Sequence, residues 1–431
     1  MLAIDRDDAA LLMWQQTGKN DVGTEGRMGA QIVRLGRPDW LGAPETDATS
    51  AWLKVGDADP VCFRFEDSLR AGAEDTIAAL IQQGRRVVLL SGDAQAPVRA
   101  LAQRLGITEW QAKCLPQDKL AFITDLTQQG AKTLIVRNGW FSYRWSQIFD
   151  AGEFTADTTV HKARQTGNDT RAPFAPAPIE DVVSAIREAK PDVVFAPHVE
   201  TSAGIILPDD YVTALAAAAH EVGALMVLDC IASGCAWVDM KATGVDVLIS
   251  APQKGWSSSP SAGLVMLSQR ALERMDATTS NSFSIDLKKW HSIMQAYLNG
   301  GHAYHATMPT DALRDFRDTM QETAEMGFDG LREAQWKLGN GVRDYLTAKG
   351  MKPVAAEGFG APGVVVCYTD EADIQNGSKF AALGMQIAAG VPLAVDEPAD
   401  FRTFRIGLFG IDKLRDVDAT LKAFTDVADQ V

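Results

Sequence analysis

Residues 224–260 read ALMVLDCIASGCAWVDMKATGVDVLISAPQKGWSSSP. Two apolar runs, ALMVL and VDVLISA, each give way to a polar turn. Apolar runs of this length, bounded by turn residues, predict buried β-strands. Asp229 follows the first run and Lys254 follows the second. Because ligands of open α/β sheets sit at the carboxyl ends of strands, these two residues are the first candidates for chemistry.

Similar runs recur on both sides of this stretch, separated by amphipathic helices. In residues 179–190, IEDVVSAIREAK, the apolar residues share one helical face. Buried strands alternating with helices predict an α/β fold on a mainly parallel sheet. From about Thr310 the pattern becomes rich in helices, with strands GVVVCYT and FRIGLFG, which indicates a smaller α+β domain. The strand-like runs are RRVVLLSGD, TLIVRNG, DVVFAPH and GLVMLS.

Composition narrows the classes of function. The chain has 431 residues, of which 46% are hydrophobic, and 41 basic against 56 acidic residues give a net charge of −15. Phosphate backbones and anionic lipids would repel a chain with this negative charge. We therefore expect no nucleic-acid or membrane partner. No run of about 18 apolar residues or signal peptide is evident. The five cysteines, without a C-x-x-C pair, favour reduced thiols and a cytoplasmic protein.

The amino-terminal third contains a specific order of motifs: FEDSLRAGAEDTIAALIQQGRRVVLLSGD, APVRALAQRLGI, LPQDK and GAKTLIV. This order resembles the phosphorylation domain of P-type heavy-metal ATPases, which belong to the haloacid-dehalogenase superfamily. The resemblance implies that Ser91, Asp93 and Lys119 would surround a transferring phosphoryl group. The aspartate nucleophile of that family's D-K-T-G-T motif is missing, as is its magnesium-binding G-D-G-x-N-D motif. We therefore predict a structural or vestigial role for residues 1–136.

The remaining two thirds contain another ordered set of motifs: NGWFSYRW, HVETSAGI, LDCIASGCAWVD, SAPQKGWSSSP, YHATMP and FRIGLFG. They resemble class V pyridoxal-phosphate-dependent aminotransferases of fold type I, nearest the alanine–glyoxylate and serine–glyoxylate group. The resemblance implies a large domain with a mainly parallel sheet over 137–309 and a small α+β domain over 310–431. A truncated haloacid-dehalogenase-like α/β segment, 1–136, precedes them.

Lys254 and Asp229 fit this chemistry. A lysine amine can bond covalently to an aldehyde cofactor and then move the substrate's α-proton. A carboxylate at a buried strand end is costly without a positive partner, and a pyridinium nitrogen is such a partner. The alternatives for Asp229 are a helix N-cap and a buried salt bridge. The resemblance assigns Lys254 to the cofactor bond and Asp229 to the ring nitrogen of pyridoxal 5'-phosphate.

Further cofactor contacts follow from the same resemblance. Thr201 matches the residue whose hydroxyl contacts a ring substituent, and Phe141 matches the aromatic residue that stacks on the ring. Trp140, beside it, leaves that register open by one residue. Gln253 precedes the lysine, where cysteine desulfurases usually carry histidine.

Arg405 matches the family's substrate-binding arginine, because a guanidinium offers a planar fork to a carboxylate. Arg402 is its competitor. Tyr304 and Thr307 match residues that reach the cofactor phosphate of the neighbouring subunit, which implies a homodimer.

His302 and His305 have a helical spacing for metal ligands, but two histidines without a carboxylate or cysteine are weak support, so we expect no metal. The family's usual amino-terminal segment, with its phosphate-binding helix start, is replaced by the pump-like segment, so we expect weak cofactor binding.

The predicted function is transfer of an amino group between a small amino acid, such as alanine or serine, and a 2-oxo acid, such as glyoxylate or pyruvate. The alternatives are an inactive remnant with the same fold and, less favoured, a phosphohydrolase or pump fragment.

Overall fold

The computed structural model describes residues 15–20, 23–44, 50–65, 69, 72–83, 85–91, 95–112, 131–153 and 155–431. The chain divides into two compact units, residues 1–126 and residues 127–431. Within the described residues, every helix is too short or too polar to span a membrane.

The first unit contains an antiparallel sheet of five strands in sequential order and a separate parallel pair. The pair, β6 and β7, is joined by helix α3, whose Val98 and Ala102 are buried. This is the strand–helix arrangement that the apolar periodicity predicts. The elements are β1 (Gln15–Asn20), β2 (Gly23–Met28), β3 (Gln31–Gly36), α1 (Pro38–Leu41), β4 (Ser50–Val55), β5 (Val61–Arg64), α2 (Ala73–Gln82), β6 (Val88–Leu90), α3 (Gln95–Leu105) and β7 (Glu109–Gln111).

The second unit is built on a six-stranded sheet in the order β17-β16-β15-β12-β8-β9. All neighbours run parallel except β16 and β17. The predicted mainly parallel sheet is therefore confirmed. Its strands are β8 (Ala131–Arg137), β9 (Thr155–Lys162), β12 (Val193–Pro197), β15 (Leu225–Asp229), β16 (Val247–Ser250) and β17 (Leu264–Leu267).

Strand β8 belongs to the six-stranded sheet of the second unit. The sequence analysis assigned this strand to the end of the pump-like segment. In the structure it lies inside the second sheet, with Leu134 paired to Val194 of β12 on one side and to Thr159 of β9 on the other. The second compact unit begins at residue 127. The domain bounds 1–136, 137–309 and 310–431 stay predictions.

Helices α4 (Trp140–Gly152), α5 (Ile179–Ala189) and α6 (Asp209–Glu221) pack with this sheet. In α5, Val182 and Ile186 are fully buried against Val194 and Met226. Burying each such side chain stabilises the fold by about 2 kcal/mol. The apolar face predicted for residues 179–190 is the face that packs. At the other end of the sheet, β17 is an edge strand whose Val265 and Met266 are partly exposed.

The small domain is an antiparallel sheet in the order β18-β20-β19, packed against long helices. Phe404 of β20 and Phe380 are fully buried in its core. Its main elements are α10 (Thr310–Met326), α11 (Phe328–Ala348), β18 (Val364–Tyr368), β19 (Ala388–Ala389), β20 (Thr403–Gly407) and α15 (Val417–Ala428).

Short elements connect these layers. They are β10 (Arg164–Gln165), β11 (Phe174–Ala175), β13 (Val199–Glu200), β14 (Ile205–Ile206), α7 (Met240–Thr243), α8 (Gln269–Asp276), α9 (Leu287–Leu298), α12 (Ala372–Gln375), α13 (Ser378–Ala382) and α14 (Ile411–Leu414).

Candidate active site

Lys254 lies in the turn that follows β16, at the carboxyl edge of the parallel sheet. Its side chain is half-buried, and its Nζ is 5.5 Å from the centre of the Phe409 ring. Burial, and then the nearby positive charge of Arg405, lower the pKa of the Lys254 amine. Among the described residues no carboxylate forms an ion pair with it. A lysine in such surroundings loses its proton more readily and becomes a better nucleophile.

Asp229 is the last residue of β15, one strand away from β16. Its Oδ1 accepts a hydrogen bond of 3.0 Å from the Ile231 backbone N–H. Burial raises the pKa of Asp229 to about 6, the Ile231 hydrogen bond opposes the rise, and the charge of Glu200 adds to it. Neither alternative from the sequence is found, since Ile231 lies outside any helix and no described cation pairs with Asp229. The carboxylate is partly buried and has no positive partner among the residues that the structure describes.

Arg405 of β20 brings a cation from the small domain toward these groups. The side chain is partly buried, its Nε donates to the Ala389 carbonyl oxygen at 2.8 Å, and its guanidinium carbon is 5.9 Å from the centre of the Phe141 ring. Burial lowers the pKa of Arg405 and the charge of Glu200 opposes that effect. The competitor, Arg402, is exposed and donates to the Asp370 carbonyl oxygen at 2.6 Å. Of the two arginines, Arg405 is the one beside Phe141.

Phe141 lies in the first turn of α4. Its ring centre is 4.8 Å from the guanidinium carbon of Arg144. The guanidinium group of Arg405 is its second cationic contact. Trp140 instead packs against Tyr143, with ring centres 5.6 Å apart. The sequence left open whether Phe141 or Trp140 is the aromatic residue of the site. In the structure Phe141, not Trp140, lies next to Arg405.

Two more of the candidates lie around the same edge. Thr201 is buried in the turn between β13 and β14, and Gln253 is exposed directly before Lys254. Nearby His198 is also buried, with Nδ1 2.7 Å from Ser233 Oγ, and burial lowers the pKa of its imidazole to about 4.

Tyr304 and Thr307 lie apart from this group in one chain. They are exposed in the segment between α9 and α10, where the Tyr304 hydroxyl is 3.1 Å from Thr307 Oγ1. His302 and His305 are in the same segment, outside any helix, and His305 donates to the Phe283 carbonyl oxygen. Over the part of the chain that the structure describes, no group of three or more His, Cys, Asp or Glu side chains could hold a metal ion.

In the first unit only part of the predicted phosphoryl site can be located. Ser91 follows β6 and its backbone N–H donates to the Gln111 carbonyl oxygen. Asp93 and Lys119 lie outside the described residues.

The sequence analysis missed two residues of the site, Glu200 and Phe409. Glu200 is fully buried in β13 and acts electrostatically on both Asp229 and Arg405. Its position three residues after the apolar strand VVFAP was the available signal, because a carboxylate is rarely buried without a specific set of donors. Phe409 lies in FRIGLFG, where nothing distinguishes it from a core residue.

The arrangement fits a pyridine-aldehyde cofactor. Asp229 is a partly buried carboxylate without a cation beside it among the described residues, and Lys254 is a partly desolvated amine in the turn after the neighbouring strand. A protonated ring nitrogen would supply the cation, and an aldehyde would bond to the amine. Asp229 and Lys254 would hold the ring end of such a group, with Phe141 in reach of its face.

Two family models match the chain. Residues 7–136 match the haloacid dehalogenase-like hydrolase model, and residues 154–351 match the class-V aminotransferase model. Both resemblances are therefore confirmed: residues 7–136 are similar to haloacid dehalogenase-like hydrolases, and residues 154–351 are similar to class-V aminotransferases, a family that depends on pyridoxal phosphate.

Individual proteins match the same two parts. A probable copper-transporting ATPase of Synechococcus is 35% identical over 127 residues, which cover 27% of this chain and 16% of that protein. The chain thus spans about a sixth of that ATPase. The small subunit of a soluble hydrogenase from Synechococcus is 23% identical over 308 residues, 71% of this chain and 76% of that protein. The crystal structure of an alanine–glyoxylate aminotransferase from Nostoc is similar in fold, with a TM-score of 0.57, 20% identity, and coverage of 72% of this chain and 79% of that one.

In the cofactor-free protein, the raised pKa of Asp229 predicts that stability falls as the pH rises. The folded carboxyl keeps its proton to a pH of about 6, whereas the unfolded one loses it near 3.8. The free energy of unfolding should therefore fall as the pH rises through this window. Relative to wild type, Asp229→Asn should gain about 3 kcal/mol between about pH 4 and about pH 7. Urea unfolding followed by tryptophan fluorescence measures this difference, and parallel pH profiles would contradict it.

Proposed function

We propose that the class-V aminotransferase part transfers amino groups between a small amino acid, such as alanine or serine, and a 2-oxo acid, such as glyoxylate or pyruvate. The cofactor would be pyridoxal 5'-phosphate and the compartment the cytoplasm. The observation that carries this proposal is that Asp229 and Lys254, both partly buried and without an ion-pair partner among the described residues, follow neighbouring strands of the parallel sheet. Either group alone fits many sites; the pair fits a cationic ring bearing an aldehyde.

Each residue then has a distinct task. Bound pyridoxal phosphate supplies an electron sink for the bond broken at the substrate's α-carbon. Asp229 holds a proton at the ring nitrogen, and Lys254 anchors the cofactor and later takes and returns the α-proton through Nζ. Arg405 binds and orients the substrate carboxylate with paired hydrogen bonds. Phe141 covers one ring face and excludes water, while Thr201 and Gln253 would contact the ring substituent and the phosphate end.

Lys254 should be the residue that bonds to the cofactor. Pyridoxal phosphate should produce an absorbance band near about 420 nm, and borohydride reduction followed by peptide mapping should label Lys254. Lys254→Ala should remove the label and the transamination, because it removes the partly desolvated amine beside Arg405 in the turn after β16. Lys241→Ala, at an exposed lysine of α7, is the matched control and should change neither. A label on another lysine, or none, would favour the inactive remnant.

Arg405 should govern the affinity for the amino acid. Arg405→Gln removes two charge-assisted hydrogen bonds to the carboxylate, so KM for the amino donor should rise roughly a hundredfold. Arg402→Gln is the control, since Arg402 is exposed and bonded to Asp370, and its KM should stay at the wild-type value. Steady-state kinetics with alanine and glyoxylate compares them, and an equal effect of both substitutions would be the contrary result.

A second copy of the chain would complete the phosphate site. Large apolar side chains are exposed in one continuous stretch: Phe283, Ile285, Leu287, Met294, Tyr297, Leu298, Tyr304 and Met308. Helix α9, in the middle of this stretch, has no buried residue at all. Exposed apolar surface of this kind typically marks an interface. Tyr304 and Thr307 lie at its end, where a homodimer would carry them to the partner's cofactor phosphate.

Charges within this stretch should therefore separate the subunits. The double substitution Tyr297→Glu and Leu298→Glu should shift the protein from dimer to monomer in sedimentation velocity, because two carboxylates would be buried in the interface. The monomer should also release pyridoxal phosphate faster on dialysis. Ile148→Glu, at an exposed site on α4, should leave both properties unchanged. A double variant that remains dimeric would place the interface elsewhere.

A further inference from the structure

Glu200 is a buried carboxylate to which the proposed reaction assigns no task. It ends β13, is fully buried, and accepts five hydrogen bonds. Oε2 accepts from the backbone N–H and the hydroxyl of Ser142, at 2.9 and 2.8 Å. Oε1 accepts from the Phe141 N–H at 3.2 Å and from the N–H and hydroxyl of Ser202, at 3.2 and 2.7 Å. The carboxylate thus links two segments that are far apart in the sequence.

One of these segments is the start of α4. The first N–H groups of a helix have no partner within the helix and need acceptors. Here Phe141 and Ser142 donate to Glu200, and Trp140 donates to Ser202 Oγ at 2.9 Å. A negative charge at this end also interacts favourably with the helix dipole. The orientation of the first turn of α4 therefore depends on Glu200 and on the serine that Glu200 holds.

The fit around the carboxylate leaves no spare room. A Cβ added to Gly139 would lie 2.1 Å from Ser202 Oγ and 2.7 Å from Glu200 Cγ. Such contacts cannot be accommodated without moving the Glu200 side chain. Gly139 thus allows the helix start to approach the carboxylate, and any larger residue there would displace it.

The first turn of α4 carries Phe141, whose ring is next to Arg405. Glu200 therefore fixes Phe141 through the backbone, on the side of the site where a cofactor ring would lie. Its charge also reaches the two ends of that site, since it acts on Asp229 and on Arg405. A buried negative charge there favours a proton on a nearby ring nitrogen and favours a charged guanidinium.

We propose that Glu200 is a positioning residue of the aminotransferase site: it holds Phe141 against the cofactor ring and supplies the buried negative charge behind Asp229 and Arg405. The inference rests on the proposed function, because it requires that a pyridoxal phosphate ring binds between these residues. It goes beyond that function in assigning the ring's alignment to a residue that touches neither cofactor nor substrate.

Glu200→Gln in the full-length chain tests the inference, because it keeps the shape but replaces one acceptor oxygen by an amide NH₂ that faces donors. Two measurements are needed. Hydrogen exchange of the peptide spanning residues 139–146 in the cofactor-free protein should accelerate at least tenfold. The visible circular dichroism of bound pyridoxal phosphate should fall by half or more, and its Kd should rise about tenfold, with transamination reduced mainly in kcat.

Asp246→Asn is the matched control. Asp246 is also a buried carboxylate that accepts from a backbone N–H, that of Met226, and from a hydroxyl, that of Ser268. It lies near the amino ends of β15 and β16, away from the strand ends that carry the site. Its substitution should lower stability while leaving the visible dichroism and the cofactor Kd unchanged. A purely structural role for Glu200 would make the two variants alike.

Ser202→Ala provides a milder test should Glu200→Gln fail to fold. It removes the hydroxyl that accepts from the Trp140 N–H and donates to Glu200 Oε1 but leaves the charge of Glu200. It should therefore lower the dichroism by less and leave Kd within about threefold of wild type. Wild-type protein without any visible dichroism would refute the proposed function itself. Wild-type dichroism that Glu200→Gln and Ser202→Ala both leave intact would refute only the role of Glu200.

Discussion

The site depends on one constraint, the parallel pairing of β8, β12, β15 and β16. Parallel strands end at the same edge of a sheet, so the residues that follow them meet although they are distant in sequence. The pairing of Pro197 with Asp229 and of Asp229 with Ile249 brings the ends of three strands into one row. The polar groups of HVETSAGI, Asp229 and the Lys254 turn are neighbours for this reason. Any change that shifted this register would separate all of them together.

Electrostatics at this edge is unbalanced within the single chain. Within the described part of the chain, Glu200 is satisfied by five donors, whereas the Asp229 side chain accepts from one backbone N–H and Lys254 contacts an aromatic ring. Desolvated charges of this kind reduce stability, and natural sites retain them where a ligand supplies the missing partner. The contrast with Glu397 is instructive. Its carboxylate accepts from the N–H groups of Leu393, Ala394 and Val395, and these hydrogen bonds outweigh burial and lower its pKa.

Much of the fold could be predicted from the sequence, because apolar periodicity reports which face of an element is buried. Helix α5 and strands β12, β15 and β16 follow that pattern closely. The direction of β17 could not be predicted, since a strand has the same periodicity in either direction. The same limit applies to β8, whose apolar run fits a sheet of either unit.

The sequence predicts candidate site residues where they follow a strand. It does not predict those that depend on the direction of a side chain. Strand context singled out Asp229 and Lys254, and the resemblance assigned their roles and those of Phe141 and Arg405, which stay predictions. The sequence does not show that Phe141 and Arg405 are neighbours, because that depends on the phase of α4 and on where β20 begins. Glu200 was not found, because only the three-dimensional structure shows five donors converging on one carboxylate.

Strand β17 has a consequence for how the protein behaves in concentrated solution. Among the described strands it pairs only with β16, so no described strand pairs with the backbone donors and acceptors of its other side. Its sequence, LVML, contains neither charge nor proline, and Val265 and Met266 are both more than a third exposed. Natural sheets usually protect such edges with charged residues, prolines or bulges. An edge without these protections is the kind of surface on which a further strand can pair.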